Sequence, residues 1–370
     1  MHLFATCAFG LEKLVQNELK QLGYKILLTE DGRVTFEGDE LAIVRANLWL
    51  RTAGRVHIKM GECHATTFDE LFDYVTALPW EKFIQKNDIF PIAASSAKSV
   101  LHSESALQSI VKKSVVKRLQ VVYNIDQLPE DSPSRYHIHV HFNKDHCVIS
   151  IDTSGDSLHK RGYRSRANLA PIKESLAAAL VILSGWKGET PLVDPFCGSG
   201  TILIEGAMIA QNMAPGLKRP FAWQTWPWIT TELVQKAFEE ARGAVVKKPL
   251  TLIGYDIDSE VIAISKHNAK LAGVDGIKFL CTDFQDVDFT EHQNTTFITN
   301  PPYGERLEEI EHVKRLYVEL GKKFNAAIHS SLFLITPVED FPMLIKRKET
   351  KNRKLYNGKI KCYLYSFVGN

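Results

Sequence analysis

A chain of 370 residues has room for two or three domains, and a make-up of 45% hydrophobic and 24% charged residues is that of a globular protein with packed cores. No run of about 18 uninterrupted apolar residues is present, which argues against a membrane-spanning helix. The six cysteines (Cys7, Cys63, Cys147, Cys197, Cys281, Cys362) include no CxxC pair, which argues against a zinc site, an iron–sulfur cluster or a disulfide framework, and a net charge of +2 does not by itself announce a nucleic-acid binder.

The first sixty residues read as strand (HLFATCA), amphipathic helix (GLEKLVQNELKQLG), hairpin through EDGR, helix (DELAIVRANLWLRTA) and strand (RVHIKM). That order is the split βαβ of a ferredoxin-like unit, and it carries no evident chemistry. The start MHLFATCAFG lacks the basic region and apolar core of a secretory signal, so a cytoplasmic protein is expected.

Residues 61–160 continue as helix (TFDELFDYVTAL), strand (FPIAAS), basic helix (ESALQSIVKKSVVKRL) and an alternating pair, RYHIHVHF and HCVISIDT. Lys112, Lys113, Lys117 and Arg118 cluster on the basic helix. Lys160, Arg161, Arg164 and Arg166 form a second cluster, and eight basic residues lie between Lys346 and Lys361. Each cluster alone reads more readily as a solvated face than as a binding surface. His137, His139 and His141 share one strand face, because side chains alternate with period two. With no carboxylate or cysteine at ligand spacing beside them, a half-exposed polar face is expected in place of a metal site.

From about residue 161 the rhythm becomes strand–helix repeats: a lead helix (APIKESLAAALVILSG), PLVD, GTILIEGAMIAQN, TELVQKAFEEARGAV, LTLIGYD, SEVIAISKHNAKLAG, IKFLCTD, TTFITN, HVKRLYVELGKKF and SLFLIT. Short apolar strands separated by helices predict a doubly wound, mostly parallel α/β sheet, and Asn357-Gly358 predicts an antiparallel hairpin closing one edge. The Pro- and Trp-rich interruption PGLKRPFAWQTWPW, with Trp223, Trp226 and Trp228, is either a plug packed on that sheet or a wall of a substrate pocket.

In such sheets ligands bind beyond the carboxyl ends of the strands. After the first strand comes Asp194-Pro-Phe-Cys-Gly-Ser-Gly-Thr201, after the second Asp256, after the third Asp283-Phe284, and after the fourth Asn300-Pro301-Pro302-Tyr303. The glycine turn begins with an acid and has no third glycine, and Asp256 lies far beyond the roughly 20 residues of a dinucleotide fingerprint. An acid there suits a cofactor carrying a cation, such as S-adenosylmethionine. Asp256 then suits ribose hydroxyls, Asp283 an adenine amine and Phe284 its ring. The plain alternative for each Asp is a helix cap or a turn.

An exocyclic amine on a purine is a weak nucleophile because its lone pair is delocalised into the ring. The Asn300 amide oxygen and the Pro301 carbonyl together can accept both amine hydrogens, and Tyr303 can stack on a base drawn out of its helix. That chemistry is positioning and electrostatics, with no strong base.

These motifs, with SLHKRGYR, RANLAPIKESLAAAL, DPFCGSGTILIEGAMIAQNMAPG and KLYNGKIKC, are similar to those of THUMP-containing class I S-adenosylmethionine-dependent RNA N2-guanine methyltransferases. The family includes bacterial large-subunit (23S) ribosomal RNA enzymes and transfer RNA enzymes. The resemblance implies a ferredoxin-like domain (1–58), a THUMP RNA-binding domain (59–160) and a Rossmann-like methyltransferase domain (161–370). It implies that Asp194, Phe196, Cys197, Gly198, Gly200, Asp256, Asp283 and Phe284 surround S-adenosylmethionine, and that Asn300, Pro301, Pro302 and Tyr303 hold the target amine. It makes Lys112, Lys113, Lys117, Arg118, Arg161 and Arg164 the expected RNA contacts, with no metal, no membrane and no obligate protein partner.

The alternatives within methyl transfer are a transfer RNA guanine, adenine N6 in DNA, and a glutamine side chain in protein. A pyrimidine carbon-5 enzyme needs a cysteine nucleophile after the fourth strand, and none is there. A non-catalytic RNA-assembly protein and a nicotinamide oxidoreductase are the competing classes.

Overall fold

The computed structural model describes residues 1–164, 172–304 and 307–369. The chain opens with β1 (His2–Cys7), α1 (Glu12–Gln21), β2 (Ile26–Glu30), β3 (Arg33–Glu37), α2 (Glu40–Trp49) and β4 (Ala53–His64). It continues with α3 (Phe68–Ala77), β5 (Ile92–Ala97), α4 (Glu104–Tyr123), β6 (His137–Asn143) and β7 (His146–Asp152). These strands form one sheet of seven in the order β2-β3-β1-β4-β7-β6-β5. The ferredoxin-like and THUMP units therefore share a sheet. The joint is the antiparallel pair β4–β7, where His57 faces Asp152 and Cys63 faces Cys147.

Alternation decides what this sheet covers. Leu3, Ala5, Val34, Phe36, Val56, Ile58, Ile138, Phe142, Ile149 and Ile151 are buried in one core with Val15, Leu19, Ile43, Val75, Val111 and Val115 of the helices. Their strand neighbours, Arg33, Phe4, Arg55, His57, His139, His141 and Ser150, point to the opposite face.

The second half contains α5 (Glu174–Ser184), β8 (Leu192–Asp194), α6 (Thr201–Ala210), α7 (Thr231–Gly243), β9 (Leu252–Asp256), α8 (Ser259–Ala272), β10 (Ile277–Cys281) and β11 (Thr296–Thr299). After these come α9 (Leu307–Ala326), β12 (Ser331–Thr336), α10 (Phe341–Leu344), β13 (Lys351–Asn357) and β14 (Ile360–Phe367). The strand order is β10-β9-β8-β11-β12-β14-β13, with β8 to β12 parallel and β13–β14 an antiparallel hairpin at the edge. The chain winds outward from β8 through β9 and β10, then returns to place β11 on the other side of β8. A crevice opens at that switch point, between Asp194 and Asn300.

The Trp-rich segment is neither a plug on this sheet nor a pocket wall. Trp226 stacks on Tyr136 of the first half with centroids 4.7 Å apart and donates its indole N–H to the Arg135 carbonyl at 2.9 Å. Trp228 packs on Phe83 and donates to the Tyr136 hydroxyl, and Trp223 is fully buried in the first core. Helix α7 follows it there, with Ala237 and Ala241 buried in the same core and Arg45 of α2 paired to Glu240 at 2.7 Å. The Trp226 and Trp228 N–H groups find their partners in the first half of the chain, which the local sequence does not reveal, while the buried Trp223 N–H has none. Among the described residues no helix is long and apolar enough to cross a membrane.

Candidate active site

The turn after β8 is built on Asp194, which is 1% exposed. Its Oδ1 accepts the Phe196 amide at 3.1 Å and the Thr299 hydroxyl at 2.6 Å. Burial pushes this carboxyl up to about 7, with the Asp256 charge adding to the rise. Asp194 thus ties the ends of β8 and β11 together and does not line the cavity, contrary to the expectation of a cofactor contact. Cys197, in the same turn, has a structural part: its side chain is buried under the turn against Gly254, because the small strand residue leaves the space for it. Gly200 has φ +79° and lies against Phe279 and Ser265, so it serves close packing at the start of α6 and is not among the residues that line the cavity. Gly198, with φ +51° and open space where a Cβ would stand, does face the cavity, as does Phe196.

Asp256 Oδ2 accepts the Gly198 amide and Oδ1 the Asp258 amide, each at 3.0 Å. The helix-capping role belongs to its neighbour Asp258, which accepts from Glu260 and Val261. Asp256 is therefore left on the cavity wall with unused lone pairs. Asp283 accepts the Gln285 amide at 2.9 Å and lines the same wall, and the Phe284 ring lies beside Phe196 with centroids 4.9 Å apart. A carboxylate pair for hydroxyl and amine donors beside two phenyl faces fits a nucleoside. The cavity, about 760 Å³, has room for more than one planar ligand.

Asn300, Pro301, Pro302 and Tyr303 form the opposite wall. The Tyr303 hydroxyl donates to Asn300 Oδ1 at 2.5 Å and receives the Asn357 amide at 3.4 Å. Burial pushes the Tyr303 phenol up, so it stays a neutral donor. From α9, the Tyr317 hydroxyl donates to the Pro302 carbonyl at 3.0 Å and fixes the turn. Sequence reasoning missed Pro195, Ile257, His312, Leu316, Asn357 and Ile360 on the walls. Ile257 had a signal in the sequence, an apolar residue directly after a strand-end acid, and it is 71% exposed in the structure. Pro195 sits within the turn after β8, beside residues that were singled out; His312 and Leu316 reach the cavity from α9 and Asn357 and Ile360 from the edge hairpin, which no local pattern relates to it.

The expected RNA contacts separate on inspection. Lys112 is paired with Glu130 and Arg118 with Glu81, each at 2.6 Å, so half of the basic helix face is neutralised, while Lys113 and Lys117 are exposed. Arg161 is corrected: it is 2% exposed, 3.3 Å from the buried Glu205, and donates to the Leu158 and Arg51 carbonyls. A buried acid and two backbone carbonyls take most of its donors, which leaves little of the guanidinium to offer a phosphate. Arg164 is half-buried and donates inward to Thr201 and the Ile172 carbonyl, which also turns it away from solvent. Arg166 lies outside the described residues. Among the described residues no group of three His, Cys, Asp or Glu side chains is placed to hold a metal ion.

Three family models match successive parts of the chain. Residues 161–366 match the model of an RMKL-like methyltransferase domain, residues 2–57 that of an RlmL ferredoxin-like domain, and residues 65–152 that of a THUMP domain. A putative RNA methyltransferase, YpsC, of Bacillus subtilis is 44% identical over 99% of this chain and 95% of its own length. A ribosomal RNA large subunit methyltransferase K/L of Syntrophotalea carbinolica is 35% identical over 98% of this chain, which spans about half (53%) of that longer protein. Among solved structures, a putative methyltransferase, SMU.472, complexed with SAH is 43% identical with a TM-score of 0.95, covering 100% of this chain and 98% of its own. A predicted N6-adenine-specific DNA methylase of Listeria monocytogenes is 44% identical with a TM-score of 0.94, covering 100% and 96%. The fold is that of the class I methyltransferases, and the chain belongs to the RMKL-like methyltransferase family, with a ferredoxin-like and a THUMP domain ahead of the methyltransferase domain.

Proposed function

We propose that this protein uses S-adenosylmethionine to methylate the exocyclic N2 amine of a guanosine in structured RNA, with large-subunit (23S) ribosomal RNA as the substrate. The observation that carries the reading is one cavity with Asp256, Asp283 and the Phe196–Phe284 pair on one wall and Asn300 to Tyr303 on the other. The relatives' names add the RNA: a putative RNA methyltransferase and a large-subunit ribosomal RNA methyltransferase.

When bound, S-adenosylmethionine supplies an electrophilic methyl group on a sulfonium. The chain's own work is orientation. Asp256 and Asp283 accept from ribose hydroxyls and the adenine amine, and Phe196 and Phe284 hold the adenine ring. Asn300 Oδ1 and the Pro301 carbonyl accept the two hydrogens of the target amine, which draws the nitrogen toward tetrahedral geometry and aims its lone pair. Tyr303 holds the base by its ring. Since Tyr303 donates to Asn300 Oδ1 in the ligand-free site, the arriving amine exchanges one donor for another at that oxygen. A transfer RNA guanosine is the second reading, favoured by the THUMP match over 65–152. Nucleoside mass spectrometry of separated RNA classes from cells lacking the protein tests both. N2-methylguanosine missing from large-subunit RNA supports the first reading, its loss from transfer RNA the second, and unchanged levels in both oppose the proposal.

A further inference from the structure

The uncovered face of the first sheet carries a cavity of about 370 Å³ far from the methyltransferase motifs in sequence, lined by Phe4, Asp31, Arg33, Arg55, His57, His139, His141, Ser95 and Ser150 among others. Its floor is aromatic. Phe4 and His57 stack at 4.8 Å with their planes 8° apart, and His139 meets His57 edge-on at 5.2 Å. The Arg33 guanidinium lies 5.2 Å from the Phe4 centroid. His57 is 3% exposed, with Nδ1 3.3 Å from Ser150 Oγ, and His141 Nδ1 is 2.8 Å from Ser95 Oγ. These side chains come from β1, the β2–β3 turn, β3, β4, β5, β6 and β7, so both N-terminal units build the site.

The charged groups that face it nearly cancel while the imidazoles are neutral. Arg55 is paired with Asp152 at 2.5 Å, and Asp152 lies 3.8 Å from His139. Arg33 has Glu30 at 3.5 Å and Asp31 beside it on the hairpin. Lys59, further along β4, is paired to Glu62 at 2.8 Å, and His137 stands at the Asp152 end of β6. Burial holds His57 well below the ordinary histidine value, with His139, Arg55 and Arg33 adding to the effect. Burial likewise lowers His139, opposed by Asp152, and lowers His141 with a contribution from Arg33. An anion entering between the two guanidiniums reverses the sign of that balance, because it favours the charged form of each imidazole it meets.

We infer that this cavity is a proton-linked phosphate site, which takes a backbone phosphate of the RNA substrate between Arg33 and Arg55 and gains protons on His139 and His141 as it does so. The inference rests on the RNA reading above for its occupant. Charge supports that choice once the imidazoles are protonated: His139 and His141 then add positive charge to a cavity where Asp152, Glu30 and Asp31 offset Arg55 and Arg33, and each guanidinium presents a planar fork to phosphate oxygens.

The test is fluorescence anisotropy of the full chain with a labelled single-stranded oligoribonucleotide at constant ionic strength. The wild-type dissociation constant is expected to fall by at least about tenfold between about pH 8 and about pH 6, as histidines take up protons on binding. His139→Gln with His141→Gln should flatten that dependence, and Arg33→Gln should weaken binding and lower the salt slope by about 0.7. Circular dichroism confirms that each variant is folded. Wild-type affinity that ignores pH, no binding by the wild type, or variants that keep the wild-type pH and salt profiles would each overturn the inference. Proton-linked binding by a protein that transfers no methyl group would sink the methyltransferase reading and leave this one standing.

Discussion

Thr299 donates its hydroxyl to the Asp194 carboxylate at 2.6 Å, across the two strand ends that frame the crevice. Thr299 immediately precedes Asn300, so this bond fixes the turn that begins at Asn300 to the turn after β8. Positioning, the main catalytic resource of such a site, depends on that distance.

Asp194 also sets a pH dependence. Its carboxyl stands at about 7 in the folded chain, above the ordinary value of about 4 that it takes when unfolded. A raised folded-state value means that the native chain holds the proton more tightly. The associated stability is present in acid and is lost as pH rises toward about 7. Asp194→Asn keeps an oxygen for Thr299 and Phe196 but cannot ionise. The melting temperature of the variant relative to wild type should therefore climb from pH 5 to pH 8. Parallel melting curves across that range would contradict the assignment.

Tyr303 has two separable parts, a ring for the base and a hydroxyl on Asn300. Tyr303→Phe should retain turnover to within several-fold, while Tyr303→Ala should lose about 10²-fold or more through misplacement of the base, with cofactor affinity preserved in both. Equal losses in the two variants, measured by methyl transfer and by calorimetry with S-adenosylhomocysteine, would show that the ring does not hold the base.

The buried pair Arg161–Glu205 joins the segment after β7 to α6, the helix that starts at the cofactor turn. Arg161→Met leaves Glu205 buried with Tyr163 as its remaining donor, which should cost about 3–5 kcal/mol. The loss reads as a lower urea midpoint, and adding Glu205→Gln should recover part of it. An unchanged midpoint in Arg161→Met would show that the pair is dispensable.

Trp226 clamps the methyltransferase half to the first sheet through its stack on Tyr136. Trp226→Ala should cost about 3–5 kcal/mol. It should depress methylation of RNA more than binding of S-adenosylhomocysteine, because it loosens the joint between the halves and not the cavity. The opposite ordering of the two effects would place the segment at the active site after all.

Much of the fold was legible because hydrophobic spacing is local: the alternation in β1, β3, β4, β6 and β7 and the short apolar strands β8 to β12 mark themselves. The cavity wall was legible wherever a lining residue sits at a strand end, as Asp256, Asp283 and Asn300 do. Asp194 and Cys197 show the limit, since the turn that brings Gly198 to the cavity turns its neighbours inward. Arg161 and Arg164 show another: a basic residue in sequence is a surface cation only until a buried acid such as Glu205 or Glu174 is found beside it. The shared seven-stranded sheet and its histidine-floored cavity depend on the pairing of β4 with β7, which no local pattern specifies.

The most direct test of the central claim is transfer of an isotopically labelled methyl group from S-adenosylmethionine to large-subunit RNA from cells lacking the protein, followed by nucleoside mass spectrometry. Wild-type protein should place the label in N2-methylguanosine, and Asn300→Ala should abolish it while binding S-adenosylhomocysteine as before. Label in N6-methyladenosine, or undiminished transfer by Asn300→Ala, would contradict the account.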